Sequence, residues 1–144
     1  MGGRHMPNTA REIMSGGVDC IGENETVDEA ARKMAQLGVG ALPICGEDDR
    51  LKGMLTDRDI VVKVIAEGKD PNSCTAGEFA QGKPVTIGAD DSLEELVRTM
   101  AQHEVKRVPV IDGHRLVGVV SESDVAGSAP PELVVKLVRG VFGD

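Results

Sequence analysis

The sequence predicts an α+β fold built from two copies of one unit, each running strand–helix–strand–strand–helix, with a helix added at the C-terminal end. Three observations predict it. Gly53-Met54-Leu55-Thr56-Asp57-Arg58-Asp59 is answered by Gly118-Val119-Val120-Ser121-Glu122-Ser123-Asp124: a glycine, two apolar residues, a hydroxyl, two variable positions and an aspartate. Upstream, Thr9-Ala10-Arg11-Glu12-Ile13 and Thr75-Ala76-Gly77-Glu78-Phe79 lie 66 residues apart, as do Leu42-Pro43-Ile44 and Val108-Pro109-Val110. At the glycine motif the offset is 65, which places the loss of one residue in the second hairpin. Third, apolar residues at helical period alternate with short apolar runs in the same order in both halves. A repeat of this length marks a duplicated structural unit and predicts two half-sites related by a pseudo-twofold axis. The expected division is an appended segment at 1–5 that is no part of the fold, a first repeat at 6–67, a second at 75–127, and a C-terminal helix at 128–144.

Each element has a local reason. Thr9 and Glu12 have capping-box spacing for a short helix through Met14, which Ser15-Gly16-Gly17 ends. Val18 to Ile21 suits a short strand. Thr26 caps a helix whose Val27, Ala30, Ala31, Met34 and Leu37 share one face, and Gly38 stops it. Gly40 to Cys45 is an apolar run with Pro43 inside, suited to a strand edge or bulge. Gly46 to Arg50 is a polar turn, and Leu51 to Thr56 returns as the hairpin's second strand. Asp57 to Ala66 is helical, with Ile60, Val61, Val64 and Ile65 on one face. The second copy repeats this order: Thr75 to Ala80, Pro84 to Ile87, a helix capped by Ser92, and the strands Arg107 to Ile111 and Leu116 to Ser121. A helix begins at Glu122. Pro131 suits the first turn of a terminal helix carrying Leu133, Val134, Leu137, Val138 and Val141 as an apolar stripe.

Composition narrows the function. With two Phe and neither Trp nor Tyr, the core must be aliphatic. A net charge of −8 opposes non-specific binding to nucleic acid or to an anionic membrane, both of which need a basic field. No stretch approaches the ~18 apolar residues of a membrane span. A soluble, cytoplasmic protein is expected. Cys20, Cys45 and Cys74 are far apart and form no Cys-x-x-Cys pair, so the usual zinc spacings are absent.

The repeated motif has a chemistry. Its apolar residues finish a strand and leave the hydroxyl at the strand's mouth. Thr56 or Ser121 can then cap the following helix, whose N-terminus carries positive partial charge. The aspartate, Asp59 or Asp124, falls one turn later, and a carboxylate can accept from two vicinal hydroxyls such as those of a ribose. A hydroxyl with an acid three residues on is also an ordinary capping box without a ligand. Duplication within matching units favours the binding reading.

On Thr9-Ala10-Arg11-Glu12-Ile13-Met14, Gly40-Ala41-Leu42-Pro43-Ile44, Arg107-Val108-Pro109-Val110 and the two glycine motifs, the chain resembles a tandem pair of CBS domains, a Bateman module. The likeness covers nearly all of residues 9–127. The stretch from Ala41 to Ile60 resembles small stand-alone actinobacterial CBS-pair proteins of the hypoxic response protein type. The resemblance implies an adenosyl ligand: AMP, ADP, ATP or S-adenosylmethionine. It implies composite clefts, one pairing Thr56 and Asp59 with Thr75, Ala80 and Val108. The other pairs Ser121 and Asp124 with Thr9, Met14 and Ala41, and Met14 would fill part of it. Lys106 and Arg107 sit where the family places phosphate-contacting basic residues, and Arg58 is a second candidate. Glu122, and likewise Asp57 and Asp59, add negative charge beside any phosphate. In the family fold the strands carrying Cys20 and Cys45 share a sheet. This allows a disulfide between them, the alternative being two buried thiols.

His103 and His114 have no partner at metal spacing, and no metal site is expected. The sequence offers no nucleophile–base pair and no phosphate-cradling glycine loop. The expectation is therefore a non-enzymatic regulatory or sensor module, a homodimer signalling to an unknown protein partner, with no cofactor required. The rival is a structural or redox-responsive interaction protein whose clefts are vestigial.

Overall fold

The computed structural model of the chain describes residues 7–80 and 84–142. The appended segment 1–5 lies outside them. In chain order the elements are α1 (Ala10–Ile13), β1 (Ser15–Gly16), β2 (Ile21–Gly22), α2 (Val27–Leu37), β3 (Ala41–Cys45), β4 (Leu51–Thr56) and α3 (Asp57–Asp59). A π-helix, Ile60–Ile65, continues α3, and a 3₁₀ turn follows at Ala76–Phe79. Then come β5 (Ile87–Gly88), α4 (Leu93–His103), β6 (Arg107–Asp112), β7 (Arg115–Ser121), α5 (Glu122–Ser128) and α6 (Pro131–Phe142).

The chain forms two compact units, divided between Val18 and Asp19 and again between Pro84 and Val85. The Thr56 unit, from Asp19 to Pro84, holds a three-stranded sheet in the order β2-β3-β4. The Ser121 unit combines the segment before Asp19 with that after Pro84 around a four-stranded sheet, β1-β7-β6-β5. The units therefore exchange leading segments: α1 of the first repeat folds with the second, and the 3₁₀ turn of the second folds with the first.

Duplication is visible in the registers. Ile21 and Gly22 pair in parallel with Ile44 and Cys45, as Ile87 and Gly88 do with Val110 and Ile111. Both hairpins shift register at the same place, between Ile44 and Cys45 and between Val110 and Ile111. Beyond that bulge Cys45 pairs with Leu51 and Ile111 with Leu116, so the missing residue is indeed lost from the second turn. The prolines Pro43 and Pro109 sit just before these bulges.

The caps of the long helices follow the sequence, whereas Thr9, expected to cap α1, accepts no backbone N–H and instead donates its hydroxyl to Glu12 Oε1 at 3.1 Å. Thr26 Oγ1 accepts the Glu29 N–H at 3.1 Å, and Ser92 Oγ accepts the Glu95 N–H at 3.1 Å. Gly38 ends α2 in the left-handed region at φ 67°, and Glu104, its counterpart, ends α4 at φ 54°. Short elements depart from expectation. The strands expected at Val18 to Ile21 and Pro84 to Ile87 shrink to two residues each, displaced toward the following turn. Ser15-Gly16, expected only to end α1, pairs antiparallel with Val119 and Gly118.

Each unit has its own aliphatic core. In the Thr56 unit it includes Ile21, Val27, Ala30, Leu42, Ile44, Leu55, Val64 and Ala76. In the Ser121 unit it includes Ala10, Leu96, Val97, Met100, Val108, Val110, Val120, Val125 and Leu137. The helical stripes are narrower than expected where nothing covers them. Helix α6 packs along α4 and buries Val97, whereas Ala31, the matching residue of α2, is exposed. Val61 and Ile65 are 58% and 56% exposed, because the wider π-helical turn seats only Ile60 and Val64 on the core. Of the terminal stripe, Leu133 and Leu137 are buried against their own unit, while Val138 points outward.

Candidate functional site

Strands β4 and β7 end on the two hydroxyls, and each hydroxyl starts the next helix. Thr56 Oγ1 accepts the Asp59 N–H at 3.1 Å, and Asp59 Oδ2 accepts the Thr56 N–H at 3.1 Å. In the other unit Ser121 Oγ accepts the Asp124 N–H at 3.3 Å, and Asp124 Oδ2 accepts the Ser121 N–H at 2.8 Å. Both motifs are thus reciprocal capping boxes that satisfy donors otherwise orphaned at a helix start. The box commits one oxygen of each carboxylate, so Oδ1 is left for an outside donor rather than both oxygens. That oxygen retains two lone pairs. Asp59 Oδ1 lies 3.3 Å from Lys63 Nζ, while Ser128 stands at the matching place after Asp124. The Asp59 side chain is 23% exposed, accessible but sheltered.

The motif glycines seat the exchanged segments. A Cβ on Gly53 would lie 3.1 Å from Ala80 Cα, so the missing side chain lets the segment after the 3₁₀ turn lie against β4. A Cβ on Gly118 would lie 2.7 Å from the Ser15 carbonyl and 2.5 Å from Met14 Sδ. Ala80 and Met14 hold matching positions in the two units. The exchanged segments are anchored alike: Ala76 and Gly77 donate to the Glu25 and Glu23 carbonyls, each at 2.8 Å. Ala10 and Arg11 donate to the Asp91 and Ala89 carbonyls at 3.0 and 2.8 Å. Thr75 itself donates its N–H to Glu78 Oε2 at 2.6 Å.

The Thr56 unit therefore contains Thr56, Asp59, Thr75 and Ala80, with Ala41 paired to Thr56 across the hairpin. The Ser121 unit contains Ser121, Asp124, Thr9 and Met14, with Arg107 paired to Ser121. Val108 belongs to the Ser121 unit, where its side chain is fully buried, and Ala41 belongs to the Thr56 unit. Lys106 and Arg107 are exposed at the start of β6, and the Lys106 carbonyl accepts the Glu122 N–H at 2.9 Å. Arg58 is exposed beside the Thr56 cap. Glu122 Oε2 is buried and has no hydrogen-bond partner among the described residues.

Two further features bear on the site. Cys20 and Cys45 pair as a disulfide, Cα atoms 5.9 Å apart, at the edge of the Thr56 unit's sheet, and Cys74 is a buried free thiol. Arg11, singled out only as part of the repeat, reaches Asp90 at 3.2 Å and Asp112 at 2.9 Å. The hydrogen bonds it donates to Asp112, then to Asp90, hold its pKa above the ordinary value. No group of three or more His, Cys, Asp or Glu side chains among the described residues is placed to hold a metal ion.

Comparison with known proteins agrees with the duplicated fold. The CBS domain family model matches residues 10–66 and 76–129. Hypoxic response protein 1 of Mycobacterium tuberculosis is 52% identical over 133 residues, covering 92% of this chain and 93% of that protein. The crystal structure of Hypoxic Response Protein I with two coordinated zinc ions matches at a TM-score of 0.78 and 54% identity, covering 85% of this chain and 99% of that one. A CBS domain protein of Pyrobaculum aerophilum, solved in complex with AMP, shares the fold at a TM-score of 0.76 and 22% identity, covering 90% and 98% of the two chains. With both repeats matched and a close likeness running through nearly the whole length, the chain belongs to the CBS domain family as a tandem pair.

Proposed function

We propose that the protein is a non-enzymatic regulatory module whose half-sites at Thr56–Asp59 and Ser121–Asp124 bind an adenosyl ligand. AMP, ADP, ATP and S-adenosylmethionine are the candidates. The observation that carries this reading is the duplicated capping box, which leaves Oδ1 of each aspartate outside the cap, that of Asp59 partly sheltered and 3.3 Å from Lys63 Nζ. Oδ1 of each aspartate accepts from the ribose diol. Thr75 and Ala80 border the first half-site, Thr9 and Met14 the second. Ala41 contributes at the start of β3, and Val108, whose side chain is buried, through its backbone alone. Arg58, Lys106 and Arg107 attract the phosphates, with Glu122 opposing them. In this reading the ligand signal goes to a protein partner, and the module works as a homodimer in the cytoplasm.

Membership in the CBS domain family supports this reading, as does the AMP complex of the Pyrobaculum aerophilum protein, which shows what this fold can hold. Zinc is a property of the Hypoxic Response Protein I crystal, and the role proposed here does not run through a metal. Calorimetric titration with AMP, ATP and S-adenosylmethionine tests it. Saturable binding is expected. Silence from all three at millimolar concentration, about −4 kcal/mol, would sink it. The redox-responsive interaction protein would then be the better reading, on the strength of the Cys20–Cys45 bridge.

A further inference from the structure

The two units solve one mechanical problem with different chemistry. In each, the exchanged segment donates two backbone hydrogen bonds to the turn that follows the short parallel strand. It accepts a third from the first residue of the next helix, Val27 N–H to the Cys74 carbonyl at 2.9 Å and Leu93 N–H to the Asn8 carbonyl at 3.0 Å. Ala76 and Gly77 hang from Glu25 and Glu23 after β2; Ala10 and Arg11 hang from Asp91 and Ala89 after β5. These donors and acceptors are all 66 residues apart, pair by pair. A two-residue strand and a turn form a weak support, and something must hold them to the hairpin.

In the Ser121 unit the support is an ion-pair clamp. Arg11, on the exchanged segment, reaches Asp90 in the turn and Asp112 at the end of β6. At the three matching positions the Thr56 unit has Gly77, Asn24 and Gly46, which cannot make it. There the disulfide takes over: Cys20 precedes β2, Cys45 ends β3, and Glu23 donates its N–H to the Cys45 carbonyl at 2.9 Å. Conversely, the positions matching the two cysteines in the Ser121 unit are Thr86 and Ile111, so that unit folds with no bridge. The chain of covalent and hydrogen bonds from Cys20–Cys45 through β2 and Glu23 to Gly77 ends on the turn that carries Thr75 and Ala80.

We propose that the Cys20–Cys45 disulfide is a redox switch on the Thr56 half-site alone, with the Ser121 half-site held independently by Arg11. The regulatory meaning rests on the nucleotide-binding reading; the mechanical coupling does not. The step is thiol–disulfide exchange: a dithiol gives two electrons and two protons, the S–S bond breaks into two thiols, and the dithiol leaves as its own disulfide. Losing the bridge leaves β2 tied to β3 by backbone hydrogen bonds alone and loosens the Ala76 and Gly77 anchors.

The test is amide hydrogen exchange on the full chain after treatment with oxidised glutathione and after dithiothreitol. Reduction should speed exchange at Ala76 and Gly77 by about tenfold or more while Ala10 and Arg11 stay within about twofold, since locally opening segments exchange independently of the rest. The Cys20→Ser/Cys45→Ser variant should match the reduced wild type in either buffer. Asp112→Ala should give the reverse pattern, loosening Ala10 and Arg11 and sparing Ala76 and Gly77. Equal protection at Ala76 and Gly77 in both redox states would overturn the switch. So would an equal loosening of all four amides, or failure of oxidised glutathione to link Cys20 to Cys45 in non-reduced peptides. AMP titrated into both forms separates the two ideas: no binding in either form removes the nucleotide reading and leaves the exchange result standing.

Discussion

At the scale of single residues, Asp59 and Asp124 each serve twice, and a well-chosen substitution separates the roles. Asparagine keeps a carbonyl oxygen for the cap N–H but turns the second oxygen into a donor. Asp59→Asn and Asp124→Asn should therefore melt close to the wild type while losing the diol acceptor. A hydrogen bond to a charged group is worth about 1.5–3 kcal/mol, which is roughly a ten- to hundredfold loss of affinity. Calorimetry with the best adenosyl ligand reads it, and unchanged affinity in the double variant would show that these carboxylates do not touch the ribose. Asp→Ala would mix in the loss of the cap. Glu104 is a second residue with a definite cost. It ends α4 with φ 54°, where its counterpart Gly38 has no Cβ to clash. Left-handed backbone costs a non-glycine residue about 1–2 kcal/mol, so Glu104→Gly should raise stability by about 1 kcal/mol in urea denaturation. No gain would mean that Glu104 is held there by compensating contacts.

At the scale of elements, the glycines of β4 and β7 mark where the exchanged segments lie down. Gly118 faces the Ser15 carbonyl, a backbone atom that cannot move without breaking the β1–β7 pairing. Gly53 faces Ala80, with more room. Gly118→Ala should therefore destabilise more than Gly53→Ala, the former within the ~1–3 kcal/mol typical of overpacking; thermal melts showing the opposite order would contradict this packing. What could be read from the sequence follows from how far the signal reaches. Caps, amphipathic helices and hairpins depend on neighbours within a few residues, and Thr26, Ser92, Thr56 and Ser121 all cap as their spacing predicts. The exposure of Val61 and Ile65 was hidden, because a π-helical turn shifts which residues face inward. The exchange of α1 and the 3₁₀ turn left no mark in the local pattern, since each segment is adjacent in sequence to the fold it leaves; only the family resemblance, which pairs Thr75 with Thr56 and Thr9 with Ser121, implied it. At the site, the hydroxyls and aspartates were visible as a repeat, but the commitment of Oδ2 to the cap needed coordinates. The Arg11 clamp left a readable trace, Arg11, Asp90 and Asp112 against Gly77, Asn24 and Gly46, which only alignment of the two copies exposes.

At the scale of the whole molecule, the apolar residues that each unit leaves uncovered are where a second copy is expected to dock. The terminal helix offers only Val135 and Val138, because Leu133 and Leu137 already pack on α4. The π-helix presents Val61, Val62 and Ile65, at 58%, 43% and 56% exposure. Aliphatic side chains grouped on one short helix are costly to leave in water, at about 25 cal/mol per Å² of apolar surface. A chain with net charge −8 gains no general attraction between copies, so association must come from such a patch. The commonest closed arrangement is a twofold dimer, whose interface uses the same patch on both copies. Each substitution then enters the interface twice. Ile65→Lys would set two ammonium groups against one another or bury each in an apolar surface, and like charges facing across an interface cost several kcal/mol. Light scattering at tens of micromolar, where specific interfaces of ordinary affinity hold, should therefore show a dimer for the wild type and a monomer for Ile65→Lys, with the melting temperature of each unit little changed because Ile65 lies outside the buried core. A wild type that is monomeric at that concentration, or a lysine variant that stays dimeric, would place the interface elsewhere, and Val135→Lys with Val138→Lys on α6 would then test the other uncovered pair.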